Sequence, residues 1–243
     1  LELKEFRGGP LSIWRMPEPR MTYIAGIDSG EGLGQEDSVC DIFCRNTGIQ
    51  CAQYITNTED PEEFALNSIK LLEWYNYAKV VPETNNTSGG ILLITLRNEY
   101  KKGKIYLKKV FDKKKKAKRN EYGWKTTTGN RGTLIFDFKR GIKNGFIEIK
   151  SVRTLAQTKT FVRKETGKME HADNEKDDTI FGGGLAWQGF KDIMPRKYEK
   201  EEKKKEKRTT MGEFMKLMDG RTEQKGDFII GSDNHRDEFT IVV

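Results

Sequence analysis

Cysteine is nearly absent from this 243-residue chain: Cys40, Cys44 and Cys51 are its three, an odd number within one 12-residue window. That spacing does not suit a disulfide framework. With only two histidines, His171 and His235, no Cys/His pattern for a structural zinc arises. A reducing, cytoplasmic setting is the simpler expectation. No apolar run approaches the ~18 residues of a membrane-spanning helix, so no membrane partner is expected. The GxxxxGK[ST] loop that cradles nucleotide phosphates is missing, so ATP hydrolysis is not expected. The first residues, LELKEF, lack an initiator Met and the apolar stretch of a signal peptide, and read as a cut or processed piece of a longer chain.

What is present describes a folded protein with uneven charge. Aromatic residues make up 10%, which argues against wholesale disorder, and the length fits one large domain or a domain with an appendage. The net charge is +7, yet Lys101 to Arg119 alone carries +10 and Arg196 to Arg208 carries +4, leaving −7 for the remainder. An acidic body with basic arms suits cation binding at the centre and polyanion binding by the arms. Lys113, Lys114, Lys115, Lys116, Lys118 and Arg119 are the candidate DNA-contacting residues; a solvated loop tip is the plainer reading of the same run. The second run mixes both signs, as a solvated helix or linker does.

Residues 1–21, rich in glycine and proline, read as an extended lead-in, 22–194 as the packed domain, and 195–243 as a charged tail with a small helix near 211–218. TYIAGID (22–28), SVCDIFCRN (38–46) and IQCAQYIT (49–56) predict an antiparallel meander. Asp60-Pro61 predicts an N-cap and first turn, with Ala65, Ile69 and Leu72 on one stripe of a helix over 61–76. A buried strand at 78–83, a helix near 88–100, a strand at 103–111 and a helix near 131–143 follow. Then come a short strand at 146–150, a brief helix at 151–157, a hairpin over 158–171 and an acidic helix over 173–190. Gly182 to Gly184 inside that last helix cost roughly 1 kcal/mol each relative to Ala, which makes sense if the helix lies very close to a sheet. The order predicts an α/β fold: a ribonuclease H-like mixed sheet of five or more strands, flanked by helices, with an added hairpin.

In such a fold Asp28 ends the first strand, Glu83 ends a parallel neighbour, and Asp177 and Asp178 open the acidic helix. Sites in open α/β sheets gather at the carboxyl ends of strands. Carboxylates brought together there repel unless a cation neutralises them, and hard oxygen ligands suit Mg²⁺ or Mn²⁺. Two such ions could clamp the attacking water and leaving oxygen of a phosphodiester. An Asp after a strand also caps turns, and one of the Asp177-Asp178 pair can simply cap its helix. Glycines 30–34 are a weak phosphate-loop signal. His171 is a candidate to orient water or substrate, and His235 reads as a surface residue.

Five segments occur in a telling order: YIAGIDSGEGLGQEDS, VVPETNN, YGWKTTTGNRGTLIFDFKRGI, TFVRKETGKMEHAD and KDDTIFGGGLAW. Together, over about residues 8–190, they resemble the C-terminal nuclease domain of the large terminase subunit of tailed bacteriophages. The lead-in GGPLSIWRMPEP is similar to the linker after that family's ATPase domain. The resemblance implies a metal-dependent endonuclease that cuts concatemeric double-stranded DNA during genome packaging in the host cytoplasm. It implies Asp28, Glu83, Asp177 and Asp178 as catalytic acids, with Asp28, Glu83 and Asp178 as direct metal ligands. It also implies the small terminase subunit, the portal protein and the missing ATPase domain as partners. The family often has His immediately before its acid pair; here His171 stands five residues removed. The competing readings are an actin-like phosphotransferase, which needs two such lobes, a resolvase or transposase nuclease of the same fold, and a non-catalytic DNA-binding module.

Overall fold

The structure, a computed structural model, describes residues 9–112, 116–163, 169–171 and 177–192. The strands are β1 (Leu11–Ile13), β2 (Tyr23–Asp28), β3 (Ser38–Cys44), β4 (Gln50–Thr56), β5 (Lys79–Pro82), β6 (Leu107–Asp112), β7 (Ala117–Tyr122), β8 (Phe161–Arg163) and β9 (Met169–His171). The helices are α1 (Pro61–Trp74), α2 (Thr87–Glu99), α3 (Thr128–Lys143), α4 (Val152–Thr160) and α5 (Asp178–Asp192). They belong to the unit Leu1–Arg196; the second unit, Lys197–Val243, lies outside the described residues.

The five-stranded sheet has the order β1-β4-β3-β2-β5. β2, β3 and β4 form the expected antiparallel meander, and β5 lies beside β2 in parallel, with Ile27 opposite Pro82. Helix starts follow their caps. The Asp60 carboxylate accepts from the Glu62 and Glu63 amides at 2.9 Å, with Pro61 in the first turn. Asn86 caps α2, and Thr127 and Asn130 form a reciprocal box at α3.

Alternation along the strands separates two cores. Tyr23, Ala25, Ile27, Cys40, Ile42 and Val80 pack with Phe64, Leu72, Leu92 and Leu96 of α1 and α2. Ile24, Phe43 and Val81 pack on the opposite face with Leu134, Phe138, Ile180 and Leu185 of α3 and α5. All three cysteines are buried free thiols.

The glycines explain how close α5 comes. A Cβ on Gly26 would lie 2.0 Å from the Gly182 carbonyl oxygen and 2.5 Å from the Ala186 amide nitrogen. One on Gly183 would meet the Phe138 ring at 2.3 Å, and one on Gly189 would meet Ile24 at 2.7 Å. Residues 189, 182/186 and 178 therefore stand over β2 in the order 24, 26, 28, so α5 runs antiparallel to β2.

Three sequence expectations change. The lead-in contributes β1, an edge strand paired with β4, and this is the fifth strand of the sheet. The strand expected at 103–111 touches the sheet only through an Ile105–Val80 bridge; from Leu107 it leaves to pair with β7 as a two-stranded hairpin. The strand expected at 146–150 is a single Glu148–Ile49 bridge. In each case a neighbour's open edge decided the pairing, which a one-dimensional pattern does not contain. β8 and β9 pair antiparallel as expected, while the tip of that hairpin, residues 173–176 before α5, and the tail helix lie outside the described residues.

Candidate active site

The α5 face of the sheet carries every second residue of its strands. Ile24 and Gly26 lead to Asp28 on β2, and Val81 leads to Glu83 just beyond β5. The Glu83 amide donates to the Ile27 carbonyl at 2.8 Å, which sets Glu83 alongside Asp28. Asp178 opens α5 one turn before Gly182, over the end of β2. Asp28, Glu83, Asp177 and Asp178 thus line one pocket of about 210 Å³, together with Glu36, Asp37, Asn85, Thr126, Arg131 and Phe181. The four acids expected from sequence are brought together by three elements far apart in the chain.

Within this pocket the acids divide by partner. Asp177, nearly buried, receives a hydrogen bond from Arg131 Nη2 at 2.5 Å, and the guanidinium lies 4.6 Å over the Phe181 ring. Asp37 is buried and paired with Arg153 of α4. Its amide donates to Asp178 Oδ2 at 3.1 Å. Glu83 accepts from Asn85 Nδ2 at 2.8 Å. Neither Asp28 nor Glu83 pairs with a basic side chain among the described residues. Burial pushes the Asp28 carboxyl well above its ordinary range, and the negative charge of Glu83, a shared hydrogen bond with it, and then Asp178 and Asp177 add to the rise.

The donor set fits a hard divalent cation: carboxylate oxygens that share one pocket and repel one another without a counter-charge. It is not closed around a point, since no three His, Cys, Asp or Glu side chains among the described residues stand together as a finished ligand group. Asp178 accepts from the Asp37 amide instead.

Sequence reasoning did not single out Asp37, Arg131, Arg153 or Asn85. Asp37 had a usable signal, because it is in phase with Val39 and Asp41 on the α5 face of β3. The pairing of Arg153 with Asp37 spans 116 positions and had none. Two amides of the glycine loop are engaged within the chain: that of Gly30 donates to Ser38 Oγ and that of Gly34 to the Asn57 carbonyl. Of the candidate DNA contacts, Lys116, Lys118 and Arg119 are exposed at the turn and on β7; Lys113, Lys114 and Lys115 lie outside the described residues. His171 is the last residue of β9, and His235 lies outside the described residues.

Neither a family model nor a curated protein matches the sequence. Solved structures do match the fold. The large terminase nuclease of the thermophilic phage G20c, solved with bound magnesium, superposes with a TM-score of 0.59 at 18% identity over 75% of this chain and 89% of its own. The same nuclease with bound cobalt gives 0.59 at 17% identity, over 75% of this chain and 89% of its own. The large terminase nuclease domain of Thermus phage P74-26 gives 0.57 at 18% identity, over 76% of this chain and 88% of its own. The described domain has the ribonuclease H-like fold of phage large terminase nucleases.

Proposed function

We propose that this chain is a divalent-metal-dependent endonuclease that cuts double-stranded DNA for a viral packaging terminase. The observation that carries the reading is the pair Asp28 and Glu83: two carboxylates at the ends of neighbouring parallel strands, without a basic partner among the described residues, in one pocket with Asp178. Asp28, Glu83 and Asp178 would hold Mg²⁺ or Mn²⁺, two ions in the active state. When bound, the ions supply an activated water and a neutralised leaving oxygen for phosphodiester hydrolysis. The chain's own residues prepare that chemistry. Asp28, Glu83 and Asp178 are half-buried under α5, which lowers the dielectric around them and strengthens their hold on a cation. Arg131 fixes Asp177, and Arg153 with Asp37 fixes the loop whose amide holds Asp178. The exposed basic residues of the β6–β7 hairpin, Lys116, Lys118 and Arg119, would take the DNA backbone, and Lys113, Lys114 and Lys115, outside the described residues, are proposed as contacts from their charge alone. By resemblance, an ATPase domain, a small terminase subunit and the portal would deliver the duplex.

Supercoiled plasmid tests this directly. Nicking and linearisation are expected with Mg²⁺ or Mn²⁺, none with EDTA, and none for Asp28→Asn or Glu83→Gln. Cleavage in chelator, or undiminished cleavage by both variants, would refute the assignment.

A further inference from the structure

The end of β5 opposite the acids carries a second charged feature. A groove of about 580 Å³ is lined by Lys79, Arg97, Tyr100, Lys101, Gly103, Lys104, Ile105, Leu107 and Tyr122. Four of these are cations and none is an acid, so the field in the groove is of one sign. Arg97, Lys101 and Lys104 are exposed and pair with no acid among the described residues.

The groove is shaped rather than a loose set of lysines. Arg97 is held 5.0 Å over the ring of Tyr122, and Lys101 Nζ donates to the Arg97 carbonyl at 3.2 Å. Tyr100 is buried, with its hydroxyl donating to the Ala78 carbonyl at 2.8 Å. A Cβ on Gly103 would fall 1.7 Å from the Tyr100 ring, so glycine is required for this wall. The Lys104 carbonyl accepts from the Val80 amide at 2.8 Å, which ties the groove floor to β5.

Its position relates it to the acids. Lys79 starts β5 and Glu83 follows its end, a separation of about 13 Å at ~3.3 Å per residue. Tyr122 walls the groove, and Trp124, two residues further on, forms a bridge with Glu83. At ~3.4 Å of helix rise per phosphate on one strand, 13 Å is about four base-pair steps.

We propose that this groove is a second DNA-backbone site, which grips duplex phosphates about four base pairs from the bond cut at the acids. The inference rests on the nuclease reading and adds to it a fixed anchor apart from Lys116, Lys118 and Arg119. DNA is favoured over an acidic protein segment because the groove shares β5 with the acids at a spacing that a duplex spans.

The test is fluorescence anisotropy of a labelled 20-base-pair duplex with the whole chain, in chelator, over a range of salt. Three proteins are compared: wild type, Arg97→Ala with Lys101→Ala and Lys104→Ala, and an equally neutralised control, Arg20→Ala with Lys70→Ala and Lys143→Ala. Losing three phosphate contacts lowers the slope of log K against log salt by about 2 to 3. That fall is expected for the groove variant, with the control keeping the wild-type slope. Equal slopes in all three, while the wild type still cuts plasmid with Mg²⁺, would overturn the groove and leave the nuclease reading standing. A wild type that neither binds nor cuts would overturn both. Unchanged DNA binding with lost binding of polyglutamate would assign the groove to an acidic protein segment and overturn the proposal.

Discussion

Adding one methyl group at Gly26 tests how the fold makes the site. In the native packing that carbon would lie 2.0 Å from the Gly182 carbonyl oxygen, 2.5 Å from the Ala186 amide nitrogen and 2.9 Å from Leu185 Cβ. Two of the three are backbone atoms of one helix, so no rotamer change relieves them. Ordinary contact begins near 3.4 Å, so α5 must retreat by about 1.4 Å. Overpacking of this kind costs about 1–3 kcal/mol, and the rigid obstacle puts Gly26→Ala near the upper end. The gain from replacing a flexible glycine, about 0.5–1 kcal/mol, offsets only part of this. The same retreat carries Asp178 away from Asp28, and misplacement by about 1 Å can cost 100-fold in rate. Urea unfolding should show a lowered midpoint, and plasmid cleavage should fall far more than the folded fraction does. Gly90→Ala is the control: it lies in α2 with nothing within 4 Å of the added carbon, and should stabilise slightly. Wild-type stability and cleavage in Gly26→Ala would refute the claim that helix–sheet distance sets the acid spacing.

Asp41 offers a pH test. It is fully buried, Gln50 donates to it at 2.6 Å, and burial lifts its pKa to about 8. A folded-state value raised above the unfolded one means that the neutral acid's stabilisation is complete below about pH 4 and is lost as pH rises through 8. The slope reaches about 1.4 kcal/mol per pH unit. Urea titrations from pH 6 to 9 should show this decline in wild type and a flatter profile in Asp41→Asn; equal slopes would remove Asp41 as the source. Arg131→Ala should destabilise by about 1–2 kcal/mol, less than a fully buried pair because the arginine side chain is 42% exposed. It should also cut cleavage more than stability, and parallel losses would make Arg131 only a strut. Neutralising Lys116, Lys118 and Arg119 should weaken duplex binding and flatten its salt dependence, and an unaltered slope would return the hairpin to plain solvation.

The strands of the meander were legible because each is an apolar run closed by turn residues, and the Asp60-Pro61 start of α1 because its chemistry is local. β1 was hidden by its composition: a short edge strand between glycines and prolines makes no buried run, and its hydrogen bonds come from β4. The hairpin of β6 and β7 was half legible. LKKVFD carries Leu107, Val110 and Phe111, but AKRNEY is polar and nearly all exposed, so only its pairing with β6 makes it a strand. At 146–150 the apolar alternation was real, since Ile147 and Ile149 are buried, yet their backbone meets β4's neighbourhood at one bridge only.

Side-chain phase explains why the acids were readable and their partners were not. Ile24, Gly26 and Asp28 share a face by period two, and Val81 and Glu83 do the same, so the site follows from strand ends alone. Gly182 to Gly184 then announce which helix covers that face. The arginines answer to a different rule. Arg131 and Arg153 each neutralise one acid of the cluster, Asp177 and Asp37, from helices whose docking no local pattern specifies. Their effect is to divide the cluster. A pocket with every acid paired would be a structural network and would gain little from a cation. Here two acids are balanced by arginine, while Asp28 and Glu83 have no basic partner among the described residues. Burial and its acidic neighbours raise the pKa of the Asp28 carboxyl, so a divalent ion should bind more tightly as pH rises; calorimetric titration with Mn²⁺ checks this, and an affinity independent of pH would remove Asp28 as a ligand.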